Sequence, residues 1–200
     1  MIARGAGLTC RVRALLLRAG EGAMRTILMA AAMSIGAPAA AEVTSAALSS
    51  FVIDAAITVD APPARVWDSF RAPASWWDAE HSYSGDAANL YMDAQATGCF
   101  CERIPDGKGS IEHAHIVYVA PGRMVRMTGG LGPLQAEAVA ATLTFRFDAE
   151  GEGATKVTMR YVVGGHMQAG GETMAPLVDN VLLHQLARLK AAAERAAPGS

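Results

Sequence analysis

Apolar side chains occupy every second position from Phe51 to Val59, as Phe51, Ile53, Ala55, Ile57 and Val59, the period of a strand with one face on a core. Asp60 and Pro62-Pro63 end it, and Asp60 can cap a helix whose first turn accepts proline. Ala64 to Phe70 supplies that helix, with Val66, Trp67 and Phe70 at helical spacing. Pro73 closes it, Ser75-Trp76-Trp77 opens a further short turn, and Asp78 to Ala88 reads as a polar loop. From there the period returns to two. Strands are predicted over Leu90 to Ala94, Gly98 to Ile104, Ile111 to Ala120, Met124 to Gly129, Ala136 to Phe147 and Thr155 to Val163, parted by turns such as Pro105-Asp106-Gly107, Pro121-Gly122 and Glu150-Gly151-Glu152-Gly153. The last two strands alternate most cleanly and form an antiparallel hairpin. Glu172 to Ala197 then carries Val178, Leu182, Leu186, Leu189 and Ala193 on one stripe, a long helix with Arg188, Lys190 and Arg195 toward its C-terminal end, where cations suit the dipole. The order is α+β: strand, two short helices, about six antiparallel strands and one long terminal helix.

Composition changes this picture only at the N-terminus. With 52% hydrophobic and 18% charged residues, 200 positions suffice for one buried core and not for two domains. Residues 24 to 41 run Arg25, an apolar stretch from Ile27 to Ile35, then Ala39-Ala40-Ala41, the three parts of a secretory signal with a cut expected before Glu42. The apolar stretch is well short of the ~20 residues a bilayer requires. A periplasmic or secreted protein is therefore expected, with residues 1–41 as leader and signal, 42–50 as linker and 51–197 as the domain. A true start at Met24 would remove an otherwise long basic lead and, with it, Cys10. Beyond Ala41 the chain holds twelve basic against eighteen acidic residues, a net of −6 from a whole-chain −2. That excludes a nucleic-acid surface and disfavours an anionic membrane.

Three stretches resemble the START-like, or SRPBCC, superfamily of helix-grip proteins, which includes polyketide cyclases, lipid-transfer domains and Hsp90-activator-like proteins. Ile57 to Trp67 (ITVDAPPARVW) is similar to its strand-to-helix opening. Thr97-Gly98-Cys99-Phe100-Cys101-Glu102 with Pro105-Asp106-Gly107 is similar to its glycine-x-aromatic-x-glutamate hairpin, although Thr97 stands where that family usually has glycine. Ala175-Pro176-Leu177-Val178-Asp179 onward to Lys190 resembles its grip helix. The resemblance implies a curved antiparallel sheet of six to seven strands around the terminal helix, with a cavity between them. The fold alone does not name an activity.

Several residues could carry chemistry. Trp76, Trp77, Tyr91 and Phe100 are aromatics that could line a cavity, or pack the short helices on the sheet. Arg126 could face inward and hold a ligand carboxylate or phenolate, or sit in solvent beside Glu112 or Glu137. If Arg103 pairs with Ile111, Cys101 sits opposite His113 and Cys99 opposite His115, a patch with soft-metal donors. A one-residue slip ends that idea, and a disulfide between the cysteines is the competing reading for an exported chain. His113 is also a ligand-binding candidate. His166 and His184 have no orienting carboxylate nearby in sequence. There is no nucleophile elbow, phosphate loop or dinucleotide glycine signature, and no cofactor is expected.

These features predict a periplasmic protein that binds a small hydrophobic or aromatic molecule between sheet and helix, without nucleic acid and without stable membrane insertion after signal cleavage. The competing reading is a cyclase- or dehydratase-like enzyme acting on a polyketide-like or lipid substrate in the same space. A chaperone-ATPase partner follows only from the resemblance, and export argues against it.

Overall fold

The computed structural model describes residues 40–195. The leader, most of the signal-like segment and the last residues of the expected terminal helix lie outside them. Eight strands form one antiparallel sheet: β1 (Ala40–Ala47), β2 (Ser50–Val59), β3 (Leu90–Met92), β4 (Cys99–Ile104), β5 (Gly109–Ala120), β6 (Met124–Thr128), β7 (Ala138–Glu150) and β8 (Ala154–His166), in spatial order β1-β2-β8-β7-β6-β5-β4-β3. Helix α1 (Pro63–Phe70) follows β2, and α2 (Gly171–Arg195) ends the fold. Short 3₁₀ turns at Pro73–Ser75, Ala79–His81 and Ala87–Asn89 connect α1 to β3. The α+β class and the long helix packed on a large open sheet are as the sequence predicts.

One expectation needs correction. Residues 42–50 are not a linker: Glu42 onward belongs to β1, paired with β2 so that Glu42 lies opposite Asp54, with the Thr44 hydroxyl donating to the Asp54 carboxylate at 3.1 Å. Small residues dominate this strand, so it lacks the apolar alternation that marks β2. The sheet consequently has eight strands rather than six or seven.

One face of the sheet carries the core. Phe51, Ile53, Ile57 and Val59 of β2, Leu143, Phe145 and Phe147 of β7 and Val157, Met159, Tyr161 and Val163 of β8 are all buried, as their period of two requires. Val178, Leu182, Leu186 and Leu189 of α2 are buried against them. Removing this much apolar surface from water is the main stabilising term, at ~25 cal/mol per Å². The helix lies chiefly against β1, β2 and α1, toward one end of the sheet order. On the other side the loop from Pro73 to Asn89 and the segment from Gly129 to Ala136 take its place, and the site forms between them.

Candidate functional site

Two hollows adjoin beneath α2. The inner one, about 20 Å³, is walled by Phe70, Trp76, Met127, Phe145, Met159 and Leu186 among others. It has room for about one water and no more. The outer one, about 450 Å³, opens between the first half of α2, the 77–83 loop and the 131–133 segment. Met174, Leu177, Val178, Val181 and Leu182 form its helix wall, and Trp77, Tyr83, His113, Leu131 and Pro133 face them. Trp77, Leu131 and Leu182 belong to both hollows. The room for a guest is at the mouth of the grip, rather than at its centre.

Burial has a local cause for each aromatic. Phe70 stacks between Trp67 and Trp76 and meets Phe145 at 4.9 Å, so Trp76 is core, its indole N–H donating to the Phe70 carbonyl at 3.2 Å. Trp77 turns the other way, its ring 5.0 Å from Phe100 and its N–H donating to the His81 carbonyl at 3.0 Å. Trp76, Trp77, Phe100 and His113 therefore all line one hollow or the other. Tyr91 lines neither; its ring lies under the Arg103 guanidinium at 4.3 Å, a cation–π contact on β3 and β4. Arg126 is exposed between buried Val125 and Met127, and its Nε donates to the Thr144 hydroxyl at 3.2 Å. Strand alternation puts it on the outer face, so the inward reading is corrected.

The cysteine–histidine patch is also redrawn. Cys99 does pair with His115, but a β-bulge follows: Cys101 lies opposite Glu112, and Arg103 opposite Ser110 rather than Ile111. His113 is the extra residue of that bulge. It is thereby turned into the buried side while His115 stays half exposed, and the two imidazoles no longer share a patch. The two sulfurs are joined as a disulfide across a Cα separation of 5.5 Å.

The bulge brings His113 to Glu102, a pairing that alternation alone does not predict. Glu102 is fully buried and accepts from the backbone N–H of Tyr83 at 3.0 Å, the N–H of Ser84 at 2.5 Å and His113 Nε2 at 2.9 Å. Burial pushes its carboxyl up, yet the hydrogen bonds from Ser84, Tyr83 and His113 outweigh that and hold it below the ordinary carboxylate range. Burial lowers His113 in turn, more than the carboxylate raises it. The result is an ionised acceptor and a neutral ring whose Nε2–H is committed to it, between Phe100 at 4.9 Å and Tyr83 at 5.8 Å.

A second polar group holds the opposite wall. His184 of α2, which had no carboxylate neighbour in sequence, meets Asp78 at 2.6 Å, and Arg188 donates to the Trp76 carbonyl at 2.7 Å. The His184 hydrogen bond holds the Asp78 carboxyl below its ordinary value, with help from the Glu80 N–H and Arg188. Gln185, buried on the same helix, accepts from the Asp78 N–H at 2.9 Å and faces His81 Nδ1 at 2.9 Å. Asp78, His81 and His184 offer ligand atoms within 4.8 Å of one another. Part of that set is engaged within the protein: Gln185 occupies His81 Nδ1, His184 is bonded to Asp78, and Arg188 approaches Asp78 to 3.9 Å, a charge that opposes a cation there.

Tyr161 completes the frame. Its hydroxyl donates to the Gly129 carbonyl and accepts from the Leu131 N–H, both at 3.0 Å, fixing the segment that forms one lip of the mouth. Burial pushes this phenol up to about 12, so it stays protonated and can make both bonds.

Residues 50–194 match the family model described as polyketide cyclase / dehydrase and lipid transport. CalU16 from Micromonospora echinospora is similar in structure, with a TM-score of 0.51 at 16% identity over 80% of this chain and 85% of that one. Truncated norcoclaurine synthase from Thalictrum flavum gives 0.51 at 10% identity over 80% and 98%. A protein of Rhizobium leguminosarum gives 0.50 at 20% identity over 80% and 100%. At these identities the likeness is one of fold. No curated protein sequence matches the chain.

Proposed function

The chain belongs to the polyketide cyclase / dehydrase and lipid transport family, and from that premise we propose that it binds a small hydrophobic or aromatic molecule in the periplasm. The observation that carries this is the outer cavity: about 450 Å³, apolar on its helix wall, with a few polar groups from His113, His81 and Tyr83 converging on it. That is the make-up of a small-molecule site, in which apolar lining supplies affinity and a few polar atoms fix orientation. Two features support export: the signal-like segment before Glu42, and the Cys99–Cys101 disulfide, a bond that persists in oxidising compartments. Among the described residues, no helix is long and apolar enough to cross a membrane.

The test fills the space. Val181 lines the cavity without being part of the fully buried core. Protein purified from its own host should release an apolar compound into organic solvent, at about one per chain, and Val181→Trp should carry about tenfold less while folding normally. Equal yields from both proteins, or no extractable compound together with no uptake of an apolar dye, would overturn the reading. Native mass spectrometry of the same sample reports whether the mature chain begins at Glu42.

The enzymatic reading, a cyclase or dehydratase acting in the same cavity, is favoured by one observation. Glu102 and His113 form the orienting half of a general-base pair, a carboxylate fixing a neutral imidazole at a cavity wall. It predicts that Glu102→Gln lowers turnover while leaving binding of the substrate intact.

A further inference from the structure

The hydrogen-bond network fixes the two cavity imidazoles as opposites, and this determines which functional groups a guest must carry. On the sheet side, Glu102 is ionised and can only accept, so His113 Nε2 bears the proton and Nδ1 is the bare nitrogen. That Nδ1 has no protein partner among the described residues. Nor is it sealed off, because the sole sealed, unpartnered side-chain polar atom among them is Asp179 Oδ1. His113 lines the outer cavity, and Nδ1 is the ring atom left to accept from a guest.

On the helix side a backbone amide sets the direction of the network. The Asp78 N–H can only donate, so the Gln185 atom facing it at 2.9 Å is the carbonyl oxygen. The other end of that amide, its NH₂, then faces His81 Nδ1 at 2.9 Å and donates to it. Nδ1 of His81 must be bare, and its proton resides on Nε2. Gln185 is buried, and the Asp78 N–H gives its amide one favoured orientation. His81 lines the cavity, and Nε2 is the ring donor it has left for a guest.

We propose that the cavity recognises an apolar, ring-sized molecule bearing both a hydroxyl and a carbonyl, the hydroxyl donating to His113 Nδ1 and the carbonyl accepting from His81 Nε2. The assignment rests on the binding reading above and adds the ligand's polar groups to it. A site with one open acceptor and one open donor discriminates against analogues lacking either partner, because the protein group is then desolvated without a bond.

The experiment uses four probes with the purified full chain: naphthalene, a naphthol, an acetylnaphthalene and the hydroxyl-bearing acetylnaphthalene, with affinities from calorimetry. The hydroxyl and the carbonyl should each tighten binding roughly three- to tenfold over naphthalene, the range of one net hydrogen bond. His113→Phe should erase the hydroxyl gain and keep the carbonyl gain. His81→Phe, at an exposed turn, should do the reverse, with naphthalene binding showing that the cavity is still formed although Gln185 loses a partner. Gln185→Leu, which frees the His81 ring to take either tautomer, should reduce the carbonyl gain alone. Gains that survive both histidine substitutions, or that vanish together in either one, overturn the proposal while naphthalene binding keeps the cavity reading intact. Failure of naphthalene and all its derivatives to bind overturns both.

Discussion

At the scale of single residues, the site depends on one unpaired position. His113 is the bulge of β5, and the bulge turns it from the outer face, where it would neighbour His115, to the inner face beside Glu102. Its titration then has a definite sign. Burial holds the folded-state imidazole below its ordinary 6.5, so the unfolded chain binds more protons through that window and stability rises with pH across it. Glu102, held below its ordinary 4.5, acts in the same direction at lower pH. The melting temperature should accordingly be level above pH ~6.5 and decline as pH falls through His113's lowered value, then again through that of Glu102. His113→Phe should flatten the first decline and, because it removes one of the three hydrogen-bonding partners that lower Glu102, make the second shallower without abolishing it. Melting curves in a pH series for both proteins check this, and an unchanged first decline in the variant would show that some other group is responsible. Thr97 is a second residue whose meaning lies in the backbone: its φ of 74° is in the left-handed region, which glycine enters without the steric cost a side chain meets.

At the scale of elements, strong periodicity is what made structure legible. β2, β7, β8 and α2 alternate or stripe over eight residues or more, and each lies within a few residues of its predicted bounds. β1 was not legible because alanine, serine and threonine carry no face, and its pairing with β2 comes from backbone hydrogen bonds, which any sequence can make. The site was half legible. Trp77, Phe100 and His113 could be named from residue type, whereas Asp78, His81, Gln185 and Glu102 act through partners distant in sequence, 104 positions apart for His81 and Gln185. The i and i+1 order of His184 and Gln185 on α2, facing a loop with Asp78 and His81, was the signal available. How α2 is seated gives a test in which two principles oppose each other. Gly171 opens the helix, and a Cβ there would stand 2.3 Å from the Ala47 carbonyl oxygen and 2.7 Å from that of Ser50, at the β1–β2 turn. Helix propensity favours alanine over glycine by roughly 1 kcal/mol. The clash is with backbone and cannot be relieved by a rotamer, so Gly171→Ala should instead destabilise by about 1–3 kcal/mol. Urea denaturation decides the sign, and a stabilised variant would mean that α2 does not press on that turn.

For the whole molecule, the question is where a sheet and a helix leave room. The inner hollow holds about 20 Å³ because Phe70, Trp76, Phe145 and Met159 converge on it, while the outer one holds about 450 Å³ because α2 leans toward β1 and β2 and only loops close the far side. Leu182 is the partition on the helix side: it is buried, and it lines both hollows. Leu182→Ala should do two things that are separable. It deletes buried apolar atoms and leaves a void, which costs about 2–5 kcal/mol of stability depending on how far the surroundings relax. It also joins the two hollows, so that an elongated apolar probe such as a phenylnaphthalene should gain affinity relative to naphthalene, and part of the lost stability should return when that probe is bound. If the core instead collapses onto the gap, the stability loss falls at the low end of the range and the preference for the longer probe does not change. Melting temperature with and without each probe distinguishes the outcomes. A large stability loss with no change in probe preference would show that Trp77 and Leu131 keep the hollows apart by themselves, and that the capacity of this fold is set by its loops and not by its helix.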